Sequence, residues 1–70
     1  MEIIGKRITE LREGRGLTRA RAARGIRMSL AAYARWEKGI AMRGVENLVK
    51  IAKFYSVTTD YLVGLAENKS

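Results

Sequence analysis

Apolar residues recur at helical spacing along this 70-residue chain, and no stretch alternates apolar and polar residues over the length of a strand. The first run, 3–15, places Ile4, Ile8 and Leu11 on one helix face. A chain of this size buries only about 60% of its unfolded surface, which suffices for one small core. The pattern therefore predicts an all-α protein with a single domain over residues 1–70.

Residues typical of helix ends divide the chain into five helices. Gly14 and Gly16 end the first helix, and Thr18 and Ser29 are candidate N-caps. The second helix begins after Thr18, the third runs from the Ser29 cap to about Lys38, the fourth spans 45–55, and a short fifth follows Thr58 and ends near Gly64. We expect a tight connection at 24–28 and a frayed tail at 65–70.

The first four predicted helices offer apolar side chains to a common core. Beyond the first helix, these are Ala22, Ala23, Ile26, Tyr33, Trp36, Val45, Leu48, Ile51, Ala52 and Tyr55. The expected architecture is a compact five-helix bundle.

Composition excludes several classes of function. The chain has no Cys and no His, so disulfides, thiolate zinc sites and the usual nucleophile–base pairs are not expected. No apolar run approaches the ~20 residues of a membrane span, and no signal sequence opens the chain. We therefore expect no enzyme activity, cofactor, metal, small-molecule substrate or membrane partner, and a cytoplasmic location.

The net charge of +7 lies in one segment, 15–43, which holds eight bases and one acid. The bases are Arg15, Arg19, Arg21, Arg24, Arg27, Arg35, Lys38 and Arg43, and the acid is Glu37. The rest of the chain is neutral. Excess positive charge on a segment of two short helices is typical of nucleic-acid binders. A basic module for RNA or for an acidic membrane surface is the alternative.

Landmarks at fixed spacing make residues 3–64 resemble the Cro and phage-repressor type of helix-turn-helix domain, the XRE family. They are Ile4-Gly5-Lys6-Arg7-Ile8, Leu11-Arg12, Leu17-Thr18, Ala23, Ser29, Arg35-Trp36-Glu37-Lys38-Gly39, Glu46-Asn47-Leu48, Lys50-Ile51-Ala52-Lys53, Val57 and Asp60-Tyr61-Leu62-Val63-Gly64.

The resemblance implies a lambda-repressor-like five-helix fold and sequence-specific binding of double-stranded DNA. The third helix, about 29–38, would lie in the major groove. The family's usual role is a transcriptional repressor or an antitoxin-like regulator in the cytoplasm of a bacterium, at the nucleoid. The resemblance leaves open whether a monomer or a homodimer binds DNA, and whether protein interaction is the main role.

The resemblance also implies an ion pair between Arg12 and Glu37, joining the first helix to the end of the third. Glu37 is the lone acid of the basic segment, which fits a structural task. The alternative is a solvated Glu37 beside Lys38.

Departures from the family's pattern cluster in the basic segment. Family members commonly begin the second helix with Gln and acids, whereas this chain has Arg19-Ala20-Arg21. Bases in the first turn oppose the helix dipole, so we interpret them as phosphate contacts rather than a tolerated solvated face. The candidate phosphate-binding residues are Thr18, Arg19, Arg21, Lys38 and Arg43.

The recognition helix is rich in alanine where relatives carry polar residues. The candidate base-reading residues are Ser29, Leu30, Ala31, Ala34 and Arg35. Alanine and leucine can contact thymine methyl groups, and Arg35 can bind guanine through two hydrogen bonds. The alternatives are an idle helix face with high helix propensity and a phosphate role for Arg35.

Two further departures concern packing. Ala22 and Tyr33 replace the usual larger and smaller residues of the family, which would keep the core volume roughly constant. Arg27 occupies the usual position of the turn glycine, and Gly25 lies two residues earlier. A near-consensus body with a rewritten basic segment fits a natural regulator with an unusual operator or a redesigned binder, and the Arg- and Ala-rich surface favours the second.

Overall fold

The structure of the protein is a computed structural model, which describes residues 2–40 and 44–69. Its helices are α1 (Glu2–Gly14), α2 (Arg19–Ile26), α3 (Leu30–Glu37), α4 (Val45–Tyr55) and α5 (Thr59–Leu62). The described residues contain no strand, so the predicted all-α class is confirmed. Except at the end of α2, the helix ends differ from the predicted ones by at most two residues, a difference within the ordinary uncertainty of helix boundaries. The end of α2 lies three residues inside the predicted connection at 24–28.

Side-chain caps explain where three of the helices begin. Thr18, Ser29 and Thr58 accept hydrogen bonds from the backbone N–H groups of Arg21, Ala32 and Tyr61 at 3.1, 3.1 and 3.0 Å. Each bond satisfies a donor that the helix itself leaves free. The predicted caps at Thr18 and Ser29 are confirmed, whereas Gly44 precedes α4 without a side-chain cap.

The helices enclose one apolar core, to which α1 to α5 all contribute. Its buried members are Ile4, Ile8, Ala22, Ala23, Ile26, Tyr33, Trp36, Ile51, Ala52, Tyr55 and Leu62, with Leu11 and Leu48 partly buried. The prediction for Val45 is wrong, because this side chain is 76% exposed. Val45 is the first residue of α4, a turn before Leu48, so it lies beyond the edge of the core. No helix among residues 2–40 and 44–69 is long and apolar enough to cross a membrane.

Ala22 and Tyr33 are both completely buried in this core. We expect Ala22→Leu to lower the free energy of unfolding by about 1–3 kcal/mol, because added methylenes force a packed core apart. Urea denaturation measures the effect, with Ala20→Leu on the exposed face of α2 as the control. An unchanged or higher stability for Ala22→Leu would show that the site has room.

The connection between α2 and α3 begins later than predicted, because α2 continues through Gly25 to Ile26. Arg27 then ends the helix in the left-handed conformation, with φ 70° and ψ 46°. Gly25 is needed for a different reason: a Cβ there would lie 2.4 Å from the Phe54 ring. The absence of a side chain at Gly25 lets α2 approach α4. The strained left-handed conformation of the turn is adopted by Arg27, a non-glycine residue.

The tail is fastened to the body, so the prediction that it frays is wrong for residues 65–69. Leu65 and Ala66 donate backbone hydrogen bonds to Asp60, at 2.8 and 3.2 Å. The Thr58 N–H donates to the Lys69 carbonyl at 2.9 Å. The Arg7 guanidinium donates to the carbonyls of Ala66 and Tyr61 and lies over the Tyr61 ring, 4.2 Å from its centroid. These contacts join the tail to α1 and α5, and hydrogen-bonded backbone resists fraying.

Candidate nucleic-acid interface

The outer face of α3 carries a stripe of small and basic side chains. Ala31, Arg35 and Lys38 are exposed and recur at i, i+4 and i+7, which places them in one row on a helix. Tyr33 and Trp36 lie on the opposite face and are buried. The helix is therefore fixed through one face and free along the other.

The start of α3 adds Ser29 and Leu30 to this exposed surface. The Ser29 hydroxyl oxygen accepts the capping bond, and its hydrogen can still be donated to another acceptor. Leu30 is 51% exposed. Ala34 is only partly exposed, so it is the least accessible of the predicted base-reading residues.

The outer face of α2 carries two further bases next to the capping Thr18. Arg21 and Arg24 are one turn apart and exposed, whereas Ala22, Ala23 and Ile26 occupy the opposite, buried face. Arg24 is not among the site residues predicted from the sequence, although its i+3 spacing from Arg21 places both on one helix face. Arg21, Arg24, Arg35 and Lys38 form no side-chain hydrogen bond or ion pair with the described residues, so their charges are available to a partner.

Arg19 lies at the start of α2 but differs from these bases. Its Nε donates to Glu37 Oε1 at 3.0 Å, while the side chain is still 53% exposed. Arg19 is predicted from the sequence to bind phosphate and Glu37 to pair with Arg12 alone, so this contact between Arg19 and Glu37 is not foreseen. Nothing in the sequence spacing marks a pair that depends on how α2 packs beside the end of α3.

Glu37 lies at the end of α3 with only 2% of its side chain exposed. Arg12 on α1 donates to it twice, from Nε to Oε2 at 2.6 Å and from Nη2 to Oε1 at 3.4 Å. Burial alone raises the pKa of Glu37, but the hydrogen bonds from Arg12, Tyr33 and Arg19 outweigh it and hold the pKa below its ordinary value. The solvated alternative for Glu37 does not fit this burial.

The Tyr33 hydroxyl extends this polar cluster into the core. It lies 2.6 Å from the Tyr55 hydroxyl on α4, and burial followed by hydrogen bonding to Glu37 and Tyr55 raises the pKa of Tyr33 well above its ordinary value. The larger residue at position 33 therefore supplies a hydroxyl as well as volume. No buried side-chain nitrogen or oxygen among the described residues lacks a hydrogen-bond partner.

The acid–base behaviour of this cluster predicts a stability plateau. Glu37, with a lowered folded-state pKa, contributes stability that is present above its unfolded pKa of 4.5 and is lost as the pH falls through the folded value. Tyr33, with a raised pKa, contributes stability that is full below its unfolded pKa of 10.0 and is lost as the pH rises beyond it. We expect the melting temperature to fall on both sides of this window.

Circular dichroism melts across the pH range measure the plateau. Glu37→Gln should reduce the acid-side dependence, whereas Glu10→Gln, at an exposed position of α1, should leave it intact. Equal acid-side slopes for the two variants would contradict the assignment to Glu37.

Among the bases of the 15–43 segment, Arg15 is bound to the body of the protein. Arg15 donates to the carbonyls of Phe54 and Tyr55 at 3.2 and 2.9 Å, which satisfies acceptors at the end of α4. Its guanidinium also lies 5.3 Å from the Tyr55 ring centroid. Arg43, a predicted phosphate contact, lies outside the described residues. Arg15 is therefore engaged at the end of α4 rather than on the outer faces of α2 and α3.

The surface also has a groove, which lies away from α2 and α3. The groove of about 560 Å³ is lined by residues of α1, the end of α4, α5 and the tail, and by none from α2 or α3. Within residues 2–40 and 44–69, no group of acidic, His or Cys side chains is arranged to hold a metal ion. This groove is therefore separate from the candidate interface on α2 and α3.

Comparison with known proteins finds a family and two relatives that match most of this chain. The family profile described as "Helix-turn-helix" matches residues 8–62. The chain is 36% identical over 58 residues to the HTH-type transcriptional activator BcrR of Enterococcus faecalis, covering 83% of this chain and 28% of the relative. It is 31% identical over 64 residues to the HTH-type transcriptional regulator ImmR of Bacillus subtilis, covering 91% of this chain and 50% of the relative.

The chain thus spans half the length of one relative and less than a third of the other. No solved structure matches it at a comparable level of significance. The matched residues run from within α1 to the end of α5 and include every helix that builds the candidate interface. The chain belongs to the XRE-type helix-turn-helix family.

Proposed function

We propose that this chain binds double-stranded DNA in a sequence-specific manner, as the DNA-reading part of a transcriptional regulator. The observation that carries the proposal is the outer face of α3, where Ala31, Arg35 and Lys38 are exposed in one row on a helix whose other face is buried. An α-helix fits the major groove of B-DNA. The regulatory role is supported by the names of the relatives, an activator and a regulator.

In this arrangement some residues of the interface contact DNA bases and others contact backbone phosphates. Arg35 is long enough to bind guanine with two hydrogen bonds, and Ala31 and Leu30 offer apolar surface to thymine methyl groups. Arg21 on α2 and Lys38, the last residue of the row, carry unpaired charge and contact the backbone phosphates. Thr18 and Ser29 keep a hydroxyl hydrogen for a phosphate or base oxygen.

The proposal is tested by selection from a random duplex library, followed by binding measurements on the selected sequence. A defined consensus is expected, and a palindrome with half-sites about one helical turn apart would indicate a two-fold dimer. With roughly four to six phosphates neutralised per domain, the slope of log affinity against log salt should be about −4 to −5. No enrichment, a slope near zero, or equal binding to structured RNA would contradict the proposal.

Variants at two exposed positions separate the roles. Arg35→Ala is expected to cost about 1–3 kcal/mol and to relax the preference at one base pair, because it removes a base contact. Arg21→Ala should weaken binding to all duplexes alike and reduce the salt slope by about one. Equal effects of both variants on every sequence would assign Arg35 to phosphate instead. Anisotropy titrations with single-base variants of the selected site measure the difference.

A further inference from the structure

The buried Glu37 is in contact with two arginines that have very different surroundings. Arg12 is 12% exposed and uses Nε and both terminal nitrogens, towards Glu37 and the Leu17 carbonyl. Arg19 is 53% exposed and uses Nε alone, towards Glu37 Oε1. The Glu37 carboxylate therefore contacts two arginines: Arg12, whose three nitrogens all donate hydrogen bonds within the protein, and Arg19, of which only Nε donates one to the described residues.

A guanidinium is planar and carries five N–H donors in a fixed fork. With Nε held by Glu37, the plane of the Arg19 fork is fixed, and its four terminal N–H donors make no hydrogen bond with the described residues. Two parallel donors from one guanidinium match two oxygens of a phosphate. A free surface arginine would have to lose side-chain entropy to reach the same state.

We propose that Glu37 is a positioning residue which holds Arg19 so that its terminal N–H groups bind a DNA phosphate. Arg12 fixes the carboxylate at 2.6 Å, the carboxylate fixes Nε of Arg19 at 3.0 Å, and the outer edge of Arg19 meets the backbone. This inference rests on the proposed function. It adds that the buried Arg12–Glu37 pair restricts the orientation of a phosphate-binding arginine, Arg19. An ion pair with a purely structural role would not affect a DNA contact.

Lysine substitutions test the proposal, with Arg21 as the matched control two residues away. A lysine has one charged nitrogen and cannot hold Glu37 and present a fork at the same time. We expect Arg19→Lys to weaken duplex binding about 5- to 10-fold, close to Arg19→Ala, and Arg21→Lys to stay within about 2-fold of the parent, since a point charge suffices there. Both lysine variants should melt as the parent does, because neither changes the core.

The outcomes separate this inference from the function on which it rests. Arg19→Lys within 2-fold of the parent would overturn the positioning role. If Arg19→Ala has no effect while Arg21→Ala and Lys38→Ala weaken binding, the inference fails and DNA binding stands. If none of these variants weakens binding, the proposed function fails as well.

A spectroscopic measurement tests the geometry without relying on affinity. In ¹⁵N-labelled protein, the Nε–H signal of Arg19 should be protected from exchange in the free protein, and Glu37→Gln should reduce that protection. The protection should persist when a duplex is bound. Its loss on binding would show that phosphate displaces Glu37 from Nε, which would overturn the proposal.

Discussion

Gly5→Ala is expected to lower the free energy of unfolding by about 3 kcal/mol or more, because the added methyl group meets backbone atoms of a neighbouring helix. A Cβ at position 5 would lie 2.2 Å from the carbonyl oxygen of Glu37 and 3.0 Å from its carbonyl carbon. Both atoms are backbone, so no side chain can rotate away and α1 must move from the end of α3. A domain of this size has roughly 4–10 kcal/mol of stability in total, so the variant should lose a large fraction of its stability.

Gly14→Ala is the matched control, since it lies on the same helix and a Cβ there meets nothing within 4 Å. Alanine favours the helix over glycine by up to about 1 kcal/mol, so this variant should be neutral or slightly more stable. Urea denaturation of both variants decides the matter. Equal stabilities would contradict the close approach of α1 and α3.

Arg12→Met is expected to cost about 3 kcal/mol of stability, at the lower end of the range for breaking a buried ion pair. The substitution keeps much of the apolar stem but leaves Glu37 with Arg19, which is half in solvent and cannot replace a partner that is 12% exposed. It also removes the hydrogen bond from Nη1 to the Leu17 carbonyl, 2.8 Å.

The double variant Arg12→Met with Glu37→Leu separates charge burial from packing. Replacing both members of a buried pair by apolar residues is often neutral or stabilising, so the double variant should recover most of the loss. A single variant within 1 kcal/mol of the parent, or a double variant less stable than the single one, would contradict the account of Glu37. Denaturation at pH 7 measures both.

Much of the fold could be predicted because local chemistry determines it. Thr18 and Ser29 cap the helices that they were expected to cap, and helical spacing identified Ile4, Ile8 and Ile51 as core residues. These signals depend on residues within one or two turns of each other. The exposure of Val45 escaped the same reasoning, because periodicity does not tell where along a helix the core ends.

The contacts that escaped prediction join residues far apart in the chain. Arg19 reaches Glu37 across 18 positions, and Arg15 reaches the carbonyls of α4 across about 40. Gly25 was interpreted as part of a turn, although its role is to let the Phe54 ring approach. A basic residue looks the same in sequence whether it faces a phosphate, a carboxylate or a helix end. The base-reading and phosphate-binding roles themselves stay predictions.

The most direct test of the account is a titration of ¹⁵N-labelled protein with the selected duplex, followed by amide and arginine side-chain shifts. We predict saturable changes along the outer face of α3, at Ala31, Arg35 and Lys38, and at Arg21 on α2, with the groove between α1 and α5 unaffected. Changes centred on that groove, with the outer face of α3 unchanged, would contradict the claim that this face reads DNA.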